Sequence, residues 1–287
     1  MKKVIIASDS TTDLNRDLIE KYDIRILPLS VSLGENTYLD GVDIDPDAIY
    51  EHFNKTGELP KTSAINLAQL YKFFEQCKAE AESVVFLTIS ADMSSTFNNA
   101  HTVALDFDDI YVVDTKNLCT GGGLMVLQAA EMALKGMGGK EIAEELEKIA
   151  PKVDASFVIN DLEYLTAGGR VSALKAGAAA FLNIKPCIMV RDGKMVIGRK
   201  YHGKFKMVVK KYVNDVLENS DDIDPQFVFL THSGVDQEFL DEVYQQIKDK
   251  NIFENIFISR AGCTISSHCG PDTLGVLFIR KQDIVIQ

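Results

Sequence analysis

Val84-Val85-Phe86-Leu87-Thr88-Ile89-Ser90-Ala91-Asp92-Met93-Ser94-Ser95-Thr96 holds both a structural and a chemical signal in one run. Val84 to Thr88 is apolar and β-branched, which predicts a buried strand. The residues from Ser90 onward are rich in hydroxyls, and the segment after Ser94 reads as a helix. The same rhythm occurs on either side. Val4 to Ala7 is a strand that runs into Ser8-Asp9-Ser10, and Asn15 to Tyr22 is helical. Ile24 to Leu33 is a second extended run. Asp45 is a helix N-cap with Pro46 at the first helical position, and Ile49 and Phe53 face the core. Ile110 to Val113 is a strand, Gly121-Gly122-Gly123 opens a helix over Leu124 to Leu134, and Lys140 to Ile149 is helical. Alternating strands and helices predict a mostly parallel sheet with crossover helices. Functional loops in such sheets lie at the carboxyl ends of the strands. Asp9-Ser10, Ser90 to Thr96 and Asp114 to Gly123 occupy those places.

The rhythm changes near Pro151, which predicts two α/β domains, 1–152 and 153–287. In the second, Ser156 to Ile159 is a strand, followed by Leu162 to Leu165 and a Gly168-Gly169 break. Ala173 to Ile184 is rich in small residues and helical in pattern. Ile188 to Val190 and Met195 to Ile197 flank Asp192-Gly193, the turn pair of a two-residue hairpin. Lys204 to Leu217 and Gln237 to Lys250 are helices. Phe227 to Thr231, Ile256 to Arg260 and Leu274 to Arg280 are strands.

Composition narrows the function classes. The 287 residues are 46% hydrophobic and 25% charged, as in an ordinary globular protein. The net charge of −12 argues against nucleic acid and anionic membranes as partners. No run approaches the roughly 20 apolar residues of a membrane span. The N-terminal lysines are followed too soon by Asp9 and Asp13 for a signal sequence. The 5 cysteines form no C-x-x-C and read as cytoplasmic thiols.

Most motifs of catalytic type fail on inspection. Ser172-Ala173-Leu174-Lys175 matches S-x-x-K, but Lys55-Thr56-Gly57 precedes it, the reverse of the β-lactamase order. Asp43 to Asp47 resembles the start of an EF-hand, yet Ala48 and Asn54 stand where glycine and glutamate are needed. The histidines lack metal-ligand spacing. The glycine triplet departs from G-x-G-x-x-G at Val126, so a tight helix–sheet contact is the better reading. His232-Ser233-Gly234 and Ser267-His268 make no triad. Asp9 and Asp114 end strands. They either cap turns or serve an enzyme acting on a small carboxylate or phosphate.

Three hydroxyl-rich clusters remain: Pro60 to Ser63, Ser90 to Thr96, and Cys263 to Pro271. Serines at helix starts, beside free backbone N–H groups, can bind a carboxylate without a lysine or arginine. Ala176 to Leu182 is a small-residue stretch that leaves room for a close helix or an inserted ligand.

In this setting the sequence resembles the DegV family over nearly its whole length. The motifs are Ser8-Asp9-Ser10-x-x-Asp13-Leu14, Lys61-Thr62-Ser63, Ile89 to Phe97, and Leu162-x-x-Leu165-x-x-Gly168-Gly169-Arg170-Val171. Leu182 to Pro186 and His268-Cys269-Gly270-Pro271-x-x-x-Gly275 complete the set. Singly they are weak, but together and in order they are specific. The resemblance implies two α/β domains holding a long-chain fatty acid such as palmitate in a tunnel between them. It implies a role as the acyl-carrying subunit that presents the carboxylate to a separate fatty acid kinase, with no catalytic residue, cofactor or metal of its own. By the same resemblance, Thr62 and Ser94 bind the carboxylate, with Ser63 and Ser95 beside them. His268 lies near it, and Arg170 supports the head-group region or the kinase surface. Ala91 and Ser95 depart from the family's serine and glycine in the I-S-S-x-L-S-G-T pattern.

Overall fold

The computed structural model describes residues 1–170 and 184–284. The Ser172–Lys175 motif, the Ala176 to Leu182 stretch and the helix read from Ala173 fall outside the described residues, apart from Ile184, which opens a strand.

The first unit runs β1 (Lys2–Asp9), α1 (Arg16–Tyr22), β2 (Arg25–Leu27), β3 (Ser30–Leu33), β4 (Asn36–Leu39), α2 (Pro46–Thr56) and β5 (Lys61–Ser63). It continues α3 (Leu67–Glu80), β6 (Ala81–Thr88), α4 (Thr96–Ala104), β7 (Ile110–Asp114), α5 (Cys119–Leu134) and α6 (Gly139–Ile149). The second comprises β8 (Val153–Ile159), α7 (Glu163–Gly168), β9 (Ile184–Arg191), β10 (Lys194–His202), α8 (Phe205–Val216) and β11 (Ile223–Ser233). It ends with α9 (Gln237–Asp249), β12 (Asn255–Arg260), α10 (Cys263–Cys269) and β13 (Thr273–Arg280).

Sheet one is 4-stranded and parallel, in the order β2-β1-β6-β7. Its strands are apolar on both faces because helices cover both. Ile5, Ala7, Val84 and Phe86 pack on Leu70 and Phe74 of α3 and on Ala100 and Val103 of α4. Ile6, Val85 and Leu87 pack the other way, on α5. Sheet two is 6-stranded, in the order β10-β9-β8-β13-β11-β12. It is antiparallel except for the β11–β12 pair. Val228, Leu230, Val276 and Phe278 face α8 and α9. Ala155, Ile159, Phe229 and Leu277 face α5.

Helix α5 therefore lies between two sheets. A helix apolar on all sides is one buried on all sides, and every residue from Cys119 to Leu127 is buried. The glycine triplet serves this packing. A Cβ at Gly123 would sit 2.8 Å from the Thr12 carbonyl oxygen and 2.9 Å from Leu14 Cδ2. The helix begins at Cys119, so the glycines lie inside its first turn and do not precede it.

Other departures have local causes. Pro28 divides the run from Ile24 to Leu33 into β2 of sheet one and β3 of a 3-stranded antiparallel sheet, β4-β3-β5. Helix α3 was not anticipated, although Asn66 and Gln69 form a capping box and Leu70, Phe74 and Cys77 share its buried face. The hydroxyl-rich stretch from Cys263 is a helix, and Ser267 there donates to the Cys263 carbonyl (2.7 Å), away from His268. The Asp45 cap stands as read, accepting from Ala48 N–H (3.1 Å). Asp192 and Gly193 both adopt positive φ, 45° and 78°, as a type I′ turn requires. No helix among the described residues is long and apolar enough to cross a membrane.

Replacing Gly123 with alanine overpacks this contact. The expected cost is about 1–3 kcal/mol, read as a lower urea midpoint with an unchanged m value.

Candidate functional site

A cavity of about 510 Å³ opens between the two units. The first unit contributes Thr62, Ser63, Ser94 and Ser95, and the second contributes Phe157, Arg170, Met195, Ile265 and His268. Every residue named as a head-group candidate lines this one cavity. They reach it from different elements: β5 for Thr62 and Ser63, the turn into α4 for Ser94 and Ser95, the exit of α7 for Arg170, and α10 for His268.

Two carboxyl groups at the ends of sheet one, Asp9 buried and Asp114 half-buried, build the Ser90 loop. Asp9 accepts Thr11 N–H (3.0 Å), Thr11 O–H (2.6 Å) and, across the sheet, Ile89 N–H (2.8 Å). Burial raises its carboxyl to about 6, against the lowering effect of those hydrogen bonds. Asp114 accepts Ala91 N–H (3.3 Å) and Lys116 N–H (2.8 Å). Both strand-end aspartates thus shape loops. The Ser90 carbonyl accepts Met93 N–H (2.9 Å) and Ser94 N–H (3.1 Å), which fixes the turn. Ser94 Oγ accepts Thr96 N–H (3.2 Å), so Ser94 serves as a cap while lining the cavity. Ser95 is the N-cap residue by position and is exposed.

The hairpin tip of the second unit rests on this loop. Ser90 Oγ donates to the Gly193 carbonyl (2.7 Å), and Lys116–Asp192 (3.1 Å) and Lys194–Asp92 (3.6 Å) flank it. A Cβ at Gly193 would meet Ser90 Oγ at 2.8 Å. Ala91, in the family's serine position, leaves the loop intact because its backbone makes the contact with Asp114.

On the opposite wall, His268 Nε2 and Thr62 Oγ1 are 2.9 Å apart. Burial, with a smaller effect from the Arg170 charge, pushes the His268 imidazolium down to about 4. The ring is neutral at pH 7. Its Nδ1 is buried and has no partner among the described residues. Protonation at Nε2 leaves only a lone pair unmatched at Nδ1, and we assign that tautomer. His268 then donates to Thr62, whose own hydroxyl proton is free to point into the cavity. Gly168 backs the imidazole: a Cβ there would overlap Nδ1. Arg170 is exposed and donates to the Gly168 carbonyl (2.6 Å), closing the turn beneath the ring.

Deeper in, Leu118, Phe157, Ile265 and Cys269 are shared with an inner apolar pocket of about 30 Å³. The buried part of the lining is thus largely hydrocarbon, Thr62, Ser94 and His268 are half-buried, and the exposed rim is polar, with Ser63, Ser95 and Asn98 beside the charged Asp92 and Arg170. Among the described residues no group of His, Cys, Asp and Glu is placed to hold a metal. Sequence reasoning gave no role to Phe157 and Met195, which face the cavity from strands whose alternation is that of any core strand.

The His268 ring C–H resonances should titrate with a midpoint of about 4 in the folded protein, and Arg170→Gln should raise that midpoint by removing a positive neighbour. The unfolded chain takes this proton near 6.5. The contribution of His268 to stability is therefore whole above pH 6.5 and is lost as the pH falls toward 4.

Comparison with known proteins identifies the family and the fold. A family model described as an uncharacterised protein of the DegV family matches residues 3–281. A DegV domain-containing protein of Caldanaerobacter subterraneus subsp. tengcongensis is 30% identical over 285 residues, 98% of this chain and 100% of the relative. The structure of a DegV family protein from Thermus thermophilus, described as binding fatty acid, superposes with a TM-score of 0.90 at 26% identity. That match covers 97% of this chain and 99% of the other. A stearic acid-binding protein of Eubacterium ventriosum gives a TM-score of 0.80 at 30% identity, over 98% of this chain and 99% of its own. With a family match from residue 3 to residue 281, the chain belongs to the DegV family.

Proposed function

We propose that this protein binds one long-chain fatty acid, such as palmitate, in the cavity between its two domains, taken as 1–152 and 153–287. The observation that carries the reading is the division of one cavity into a hydroxyl mouth and an apolar interior. The carboxylate sits at Thr62 and Ser94, with Ser63, Ser95, Arg170 and His268 around it. The tail passes Leu118 and Phe157 toward the inner pocket. The cavity of about 510 Å³ falls within the range of roughly 300–1,000 Å³ typical of small-molecule sites. The structural relatives described as binding fatty acids support the ligand class.

The energetics favour a division of labour. At about 0.8 kcal/mol per buried CH₂, a chain of roughly 16 carbons offers on the order of 10 kcal/mol. The tail supplies affinity. The head group needs enough donors to match a buried carboxylate. Neutral donors meet that need: the Thr62 hydroxyl, freed by His268, and the serine turn before α4. They hold the carboxylate without a tight ion pair, so a separate fatty acid kinase can reach it. The protein acts as a carrier and presenter, not as the catalyst, and the 5 buried free thiols support a cytoplasmic place for it.

Organic-solvent extraction of purified protein, followed by native and denaturing mass spectrometry, should find one fatty acid per chain. Thr62→Ala and Ser94→Ala should each weaken binding about tenfold while the protein stays folded. A delipidated, folded protein that takes up no long-chain fatty acid would refute the proposal.

A further inference from the structure

Helix α10 carries His268 and Ile265 to the cavity, yet its N-terminus is held by the other unit. Asp40 accepts Cys263 N–H (2.8 Å) and Thr264 N–H (3.1 Å), and its second oxygen also accepts from Ser10 Oγ (3.0 Å). Asp13 accepts Gly262 N–H (2.9 Å) and Cys119 Sγ–H (2.7 Å). Both carboxylates are buried, and their partners here are all neutral donors. Neither residue lines the cavity. Orphan N–H groups at a helix start, together with the helix dipole, suit a carboxylate. Here two carboxylates from one unit grip the first turn of a short helix belonging to the other.

The far end of that helix is where the head group is read. His268 lies on the last turn of α10, bonded to Thr62 of β5. β5 itself pairs with β3, which leads on through β4 toward Asp40. The contact between His268 and Thr62 therefore closes a loop of structure: Thr62, the small sheet, Asp40, the N-terminus of α10, His268. If α10 slips at Asp40, the imidazole leaves Thr62, whose hydroxyl proton then loses its direction.

We propose that Asp40, assisted by Asp13, is a positioning residue for carboxylate recognition: it sets the His268–Thr62 contact by holding α10, without touching the ligand. This rests on the fatty acid reading above. Asp40→Asn keeps the shape, but turns an N–H₂ toward groups that are themselves donors.

The test compares a long-chain fatty acid with the fatty alcohol of the same length, on wild-type protein, Asp40→Asn and Ser10→Ala. Ser10→Ala removes one support of Asp40 from outside α10 and serves if Asp40→Asn does not fold. The preference of wild type for the acid over the alcohol should fall about tenfold in Asp40→Asn, and by less in Ser10→Ala, with alcohol binding little changed. The ¹⁵N resonance of His268 Nε2 in the ligand-free protein should shift in the same order. Equal loss for acid and alcohol with an unmoved imidazole signal, or an unchanged preference in both folded variants, would overturn the positioning role alone. Wild-type protein that binds neither ligand would overturn the fatty acid reading and this proposal with it.

Discussion

Helix α5 has no solvent face over Cys119 to Leu127, and the layers on either side are arranged by that fact. Sheet one brings Ile6, Val85 and Leu87 to it, and sheet two brings Ala155, Ile159, Phe229 and Leu277. One continuous core therefore joins both units, and they cannot separate without exposing it. The cavity lies beside this core where the two walls part, bounded by Leu118 just before α5 and Phe157 on β8. Close approach at Gly123 sets how far the 3-10 turn after β1 lies from the helix. That turn carries Asp13 and, through Asp9, shapes the loop that bears Ser94.

The electrostatics of the site follow from its construction. The first unit's strand-end and loop carboxyl groups are spent on backbone N–H groups: Asp9 on Ile89, Asp114 on Ala91, Asp13 and Asp40 on the start of α10. What faces the cavity mouth is hydroxyl and neutral imidazole, with Arg170 at the exposed edge and Asp92 on the hairpin side. In a chain of net charge −12, these aspartates are turned toward buried hydrogen-bond donors and away from the cavity lining.

Much of this was legible in sequence wherever the signal was local. Strands β1, β6 and β7, the helix cap at Asp45 and the Asp192-Gly193 hairpin each follow from patterns of a few residues. The resemblance named Thr62, Ser63, Ser94, Ser95, Arg170 and His268, and the fold brings them to one cavity. Features that depend on distant partners were hidden. The small sheet needs β5 to pair with β3 across α2, and nothing local in Lys61 to Ser63 says so. Cys263 to Cys269 reads as a polar loop because its helical start is stabilised by Asp13 and Asp40, more than 200 residues earlier. Gly168 looks like a turn glycine until the His268 ring is seen against it.

The order of sheet two has a consequence for how the chain comes off the ribosome. Strand β13, made after the other strands of its sheet, sits between β8 and β11 and pairs with both. Until residue 280 has emerged, β8 is paired on its β9 side only and the two halves of the sheet cannot join. During that interval sheet one and its helices are complete, but the sheet-two side of α5 lacks Leu277 and the joined sheet that holds Phe229 against it. Nascent chains in this state present both an open strand edge and an apolar helix, the surfaces that chaperones and aggregation compete for. The late strand that seals the core thus also determines when the chain ceases to be vulnerable.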